Sequence, residues 1–205
     1  MTGWWRDNRL WLAALPLTAA GMAAASSYNV VDKWWRTDLH HEIAHGEIGD
    51  WVQVHEGYDD ALGATSRTYS VRLVGLDEVE EWPYYDDGPR PPSPGLKALQ
   101  VHLDWRADPD QVIRGCRLSL VDSEGNRYDI DTSDSLFVCT PDNAGGPEPA
   151  EPGDTERPSE LPLYEDPRPA TWSVDPVFLV PEDAELTELR LWWGPPPDYV
   201  ALSFP

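Results

Sequence analysis

Apolar side chains recur at every second position in one segment after another. A half-buried β-strand requires that period, because its successive side chains point to opposite faces. Leu99, Val101, Leu103 and Trp105 alternate with Gln100, His102 and Asp104, and Cys116, Leu118 and Leu120 alternate with Arg117 and Ser119. The run Asp122-Ser-Glu-Gly-Asn126 has turn chemistry, and Tyr128 and Ile130 begin a return strand. Short strands are also expected at Trp51, Val52 and Val54, at Tyr69, Val71 and Leu73, at Trp172 and Val174, over Val177 to Val180, at Leu189, Leu191 and Trp193, and at Val200, Leu202 and Phe204. No helical pattern of ten residues follows residue 50. About seven to nine strands of this length and spacing predict an all-β body over 51–205, a sandwich of two sheets.

The start of the chain differs in kind. From Leu10 to Ala25 there is no charge, and seven of the sixteen residues are alanine, with Arg6 and Arg9 ahead of them. This is a targeting segment, and two forms of it compete. A cleaved secretory signal fits the short apolar run and the Ala23-Ala24-Ala25 stretch. A signal anchor over 10–31 fits the tryptophans, with Trp4, Trp5 and Trp11 at one end and Trp34 and Trp35 at the other, because indoles favour the headgroup level. The anchor reading gives a short cytoplasmic lead at 1–9, one transmembrane helix at 10–31, a juxtamembrane helix at 32–50 and an outward-facing sandwich at 51–205. On that reading the chain is a single-pass protein of the cell membrane; on the other it is secreted after cleavage near Ala25.

Acidic residues number 37 against 15 basic ones, a formal charge of −22, which excludes nucleic acid or an anionic membrane surface as the partner of a basic patch. Cys116 and Cys139 are the only cysteines. Outside the cytoplasm they are expected to form a disulfide; two buried free thiols are the alternative. Two connections are rich in proline: 82–95 with five, and 141–169 with eight prolines and eight acids. The second is expected to be a solvated, mobile loop.

His41-Glu42-Ile43-Ala44-His45 matches H-E-x-x-H, in which two histidines one helical turn apart bind zinc and the glutamate activates a water. The extended form of the motif fails, since Ile48 stands in place of its glycine and Trp51 in place of its third histidine. A zinc metallopeptidase using His41, Glu42 and His45 is therefore the alternative and not the main reading. No catalytic residue and no cofactor is assigned.

The segment Cys116–Tyr128 (CRLSLVDSEGNRY), followed by Trp172, Val177-Phe-Leu-Val-Pro181 and Leu189, resembles exported immunoglobulin-like sandwiches of unknown function from high-GC Gram-positive bacteria. Thirteen arginines to two lysines fit such a genome. The resemblance implies an immunoglobulin-like β-sandwich and an envelope location, and it brings no active site. The expected role is a binding or accessory module for another envelope protein or a ligand, attached to the membrane through 10–31.

Overall fold

Where the alternation is most regular, the computed structural model has its central strand, β4 (Leu96–Arg106). Leu99, Val101, Leu103 and Trp105 are buried on one side of it, while Gln100, His102 and Asp104 lie on the other. The structure describes residues 3–4, 8–30, 39–83, 88–130, 138–141, 144–156, 166–194 and 198–205. It divides into two compact units, Met1–His40 with Pro195–Pro197, and His41–Gly194 with Asp198–Pro205.

The second unit is the sandwich. Its remaining strands are β1 (His41–Glu47), β2 (Val52–Asp60), β3 (Gly63–Val79), β5 (Cys116–Asp122), β6 (Arg127–Asp129), β7 (Ala144–Gly145), β8 (Asp166–Pro167), β9 (Thr171–Val174), β10 (Val177–Pro181), β11 (Leu186–Trp193) and β12 (Asp198–Ser203). One sheet runs β1-β12-β11-β5-β6; the other runs β10-β4-β3-β2, with β9 also paired to β4. Every pairing within these two sheets is antiparallel except β1 with β12. β7 and β8 form a two-residue parallel pair of their own.

Both sheets supply one core. Val52, Val54, Tyr69, Val71, Leu73, Val101 and Leu103 from the second sheet meet Leu118, Leu120, Leu189, Leu191, Val200 and Leu202 from the first. Burying each such side chain is worth ~1.5–3 kcal/mol, so this shared interior is what joins the layers. β1 also lies beside β2, and β10 beside β6, so the sheets meet at both edges. Gly46 makes the first closure possible: a Cβ there would fall 2.2 Å from Val52 Cγ2, and a β-branched valine cannot swing aside. Gly46→Ala is expected to destabilise the sandwich by ~1–3 kcal/mol. In urea titrations, adding Val52→Ala should return part of that loss; an unchanged midpoint in Gly46→Ala would show that the β1–β2 contact is loose.

Several expectations change. The helix expected over 32–50 is not formed where the chain is described: residues 31–38 lie outside the described residues, and His41–Glu47 is a strand. Its hydrogen bonds come from β12, more than 150 residues later, and that distant pairing overrides the helical spacing of the histidines. The 141–169 connection is not wholly solvated either. Ala150 is buried, and Arg168 is 2% exposed, donating to the carbonyls of Asp108 (2.6 Å) and Gln111 (3.1 Å) and lying over Trp172. Burial pushes the Arg168 guanidinium down to about 10. In 82–95, Trp82 and Arg90 pair as an isolated bridge, while 84–87 lie outside the described residues.

The first unit contains α1 (Arg9–Val30), 22 residues rich in alanine and leucine, which favour helix strongly enough to accommodate Pro16. No helix among the described residues is long and apolar enough to cross a membrane. Length is not the shortfall in α1, since 22 residues at ~1.5 Å each reach ~33 Å. Thr18, Gly21, Ser26, Ser27 and the run of alanines dilute its apolar surface. The transmembrane expectation for 10–31 is thus without structural support, and Trp5, Trp34 and Trp35 lie outside the described residues. The disulfide expectation holds. Cys116 and Cys139 are bonded with Cα atoms 6.2 Å apart, both 1% exposed, and the Trp172 indole donates to the Cys139 carbonyl at 2.9 Å.

Candidate functional site

On β1 the two motif histidines stand four residues apart along an extended chain, roughly 13 Å at ~3.3 Å per residue, where a helix would stack them. They turn to different partners. His41 Nδ1 lies 2.8 Å from Asp198 Oδ1, whereas His45 has Glu42 Oε1 at 3.4 Å on one ring nitrogen and Ser203 Oγ at 3.4 Å on the other. Among the described residues no group of three His, Cys, Asp or Glu side chains is placed to hold a metal ion. His41, Glu42 and His45 are not brought together as a zinc site would need; they clip the first strand to the last.

The structure gathers polar chemistry elsewhere, on the outer face of the second sheet. Register does the gathering, since residues opposite one another on adjacent strands share a face. Arg72 pairs with Asp104, and Asp104 with Ser173. Because Val52 pairs with Val71, Trp51 lies beside Arg72 at the end of the same row. The next row joins Gln53, Ser70, Arg106 and Thr171. Asp104 has a donor on each oxygen: the Arg72 guanidinium donates to Oδ2, and the Ser173 hydroxyl donates to Oδ1 at 2.7 Å. Those hydrogen bonds, the Arg72 one foremost, hold its carboxyl below the usual carboxylate range. The Arg106 guanidinium lies 3.7 Å from the centre of the Trp51 ring, and that of Arg72 lies 4.7 Å from it. Cations over an indole face are attracted by its quadrupole.

Beyond the β-bulge between Leu73 and Gly75, His102 sits between two carboxylates from different elements. Its Nδ1 is 2.6 Å from Asp175 Oδ1 in the β9–β10 connection, and its Nε2 is 3.0 Å from Asp77 Oδ2 on β3. With both ring nitrogens facing carboxylates, the imidazole has no lone pair free to act as a general base. The hydrogen bond to Asp175, and after it that to Asp77, raises the His102 pKa above 6.5. A raised folded pKa stabilises the protein fully below the unfolded value, and that stabilisation is lost as pH rises through the folded one. Stability is therefore expected to fall as pH climbs above about 6.5, and His102→Gln should remove that dependence. Thermal melts at fixed ionic strength check this; equal slopes in both proteins would contradict the clasp.

A second polar group is buried within the β2–β3 hairpin. Glu56 and Arg67 pair across β2 and β3 on the core side. Arg67 Nε and Glu56 Oε1 approach to 2.7 Å as a charge pair. The guanidinium is held between the rings of Tyr58 (4.3 Å) and Trp193 (4.4 Å). Burial pushes Glu56 up and Arg67 down, each opposed by its partner. Burial also raises Tyr69, which packs on Trp193 and Trp105. This group has the character of a structural pin.

Sequence reading did not single out the outer face. Its residues come from four strands, and only the polar alternation of Gln100, His102 and Asp104 in β4 marked the face as solvent-facing. Comparison with known proteins adds little. No protein-family model matches the chain, and no curated protein is similar to it. Among solved structures, a conserved hypothetical protein from Bacillus anthracis is 13% identical, covers 70% of this chain and 89% of that one, and superposes with a TM-score of 0.35. An uncharacterised β-sandwich protein from Clostridium difficile is 10% identical, covers 81% and 95%, and gives 0.31. With similarity this low, the sandwich assignment rests on this chain's own two sheets.

Proposed function

We propose that this chain is an exported β-sandwich of the cell envelope, a binding or accessory module that meets its partner through the outer face of the second sheet. The observation that carries the reading is the ordered row Trp51, Arg72, Asp104 and Ser173. It is a cross-strand network of charge and aromatic surface on a face that the core does not use. Rigid strands hold such groups more precisely than loops do, which suits recognition. An immunoglobulin-like arrangement is supported by the contiguous order β5-β11-β12, with β6 added beside β5. The disulfide departs from that pattern, because it ties β5 to a turn and not one sheet to the other.

Export is supported by α1. Trp11, Leu17 and Met22 are each more than 70% exposed, an apolar surface left bare within its unit. Its shortfall in apolarity favours removal after Ala25 over retention as an anchor. A photo-crosslinking residue placed at Thr68, on the outer face of the second sheet, is expected to capture a discrete envelope partner. The same residue at Arg117, on the first sheet, should capture none. Equal capture from both positions, or none from Thr68, would contradict the proposal.

A further inference from the structure

Resting on the reading of the second sheet's outer face as a contact face, one position there is set apart by what it lacks. Arg106 is exposed, and its guanidinium is laid on Trp51, yet it makes no hydrogen bond or ion pair among the described residues. Its nearest acidic neighbour, Asp104, feels the Arg106 charge but takes its hydrogen bonds from Arg72 on one oxygen and from Ser173 on the other. Ser70 and Thr171 stand directly across from Arg106 on the two neighbouring strands, and their hydroxyls likewise make no hydrogen bond among the described residues. A planar fork of N–H donors, oriented by an aromatic ring and flanked by two hydroxyls, matches the two oxygens of a carboxylate.

We infer that Arg106, with Ser70 and Thr171 on either side, is a receptor for a single carboxylate group, carried by an acidic sugar or by the C-terminus of a peptide. The chain's charge of −22 argues for one charge on the ligand, since a polyanion would be repelled before it reached the site. Trp51 lies against the guanidinium plane, and the hydrogen bonds of Asp104 come from Arg72 and Ser173, not from Arg106.

The test is a titration of the full chain at constant ionic strength, followed through the arginine Nε–H and tryptophan indole N–H signals by NMR. Sodium glucuronate and N-acetyl-alanyl-alanine are the two carboxylate probes; glucose and the dipeptide amide are their neutral counterparts, and sodium chloride is the ionic control. Saturable shifts of the Arg106 and Trp51 signals by either carboxylate at millimolar concentration are expected. Arg106→Gln should weaken them roughly tenfold, and Arg117→Gln should leave them unchanged. The probe that saturates first names the source. Shifts absent with both carboxylates, matched by chloride, or persisting in Arg106→Gln overturn the assignment. Crosslinking from Thr68 does not depend on ligand charge, so a partner captured there without any carboxylate effect would remove this inference and leave the contact face standing.

Discussion

Replacing Arg67 with alanine is expected to lower the stability of the sandwich by ~3–5 kcal/mol, the usual cost of stranding one partner of a buried charge pair. Arg67 has a side chain only 6% exposed, and Glu56, at 17%, would be left with its charge and no compensation. The same change also strips the cation from between Tyr58 and Trp193 and removes a 3.4 Å donor to the Val112 carbonyl. The distal half of the β2–β3 hairpin, which reaches beyond β4, loses one of its ties to the body and keeps those of Asp60 and Ala61 to Ala150 and of Thr68 to Gln111. Arg67→Met together with Glu56→Gln keeps the volume and removes both charges, so it should recover most of the loss. Guanidinium titrations of the two variants separate these effects. A loss below about 1 kcal/mol in Arg67→Ala would mean that water reaches the pair and solvates Glu56.

The second large effect concerns the disulfide. Closing a loop of 22 intervening residues removes conformations from the unfolded chain worth about 3 kcal/mol in the loop-entropy picture. The Cys116→Ala, Cys139→Ala double variant is therefore expected to lose about that much, with a lower denaturation midpoint and a steeper slope, because the unfolded chain is less compact without the crosslink. The change also acts locally. Cys139 holds the turn whose carbonyl receives the Trp172 indole proton, and Trp172 stacks on Trp105 at 5.9 Å, so the stacked pair should loosen with it. Both sulfurs are nearly inaccessible, so the folded protein should resist a mild thiol reductant and yield only when unfolded. Full reduction under native conditions without loss of structure would show that the bond contributes little.

How far the fold could be read from the residues depended on whether a strand's inward positions were apolar. β4 and β5 were legible because Leu99 to Trp105 and Cys116 to Leu120 place hydrocarbon or sulfur at every inward site, and the Asp122 turn announces the hairpin. The Asp122 carboxylate accepts from the backbone of Glu124 and Asn126 and from the Tyr128 hydroxyl. Those bonds, Tyr128 first, hold its pKa at about 2. The far half of the β2–β3 hairpin was not legible, because Glu56 and Arg67 fill inward positions, where their mutual pairing and the Tyr58 and Trp193 rings over Arg67 let them stay. β1 was misread as helix because its pairing lies with the last strand, and no local pattern reports a partner so distant. The outer-face row was hidden for the same reason. Trp51, Arg72, Asp104 and Ser173 meet only after the register is set, whereas the H-E-x-x-H match was visible locally and is pulled apart by the strand that carries it.

Location and fold come together in one mass measurement on the chain isolated from its own cells without reductant. The expected species lies outside the cytoplasm, begins at Ser26, and yields a tryptic fragment in which Cys116 is bonded to Cys139. A soluble cytoplasmic chain that retains residues 1–25, with both thiols open to alkylation, would contradict export and the oxidised sandwich alike.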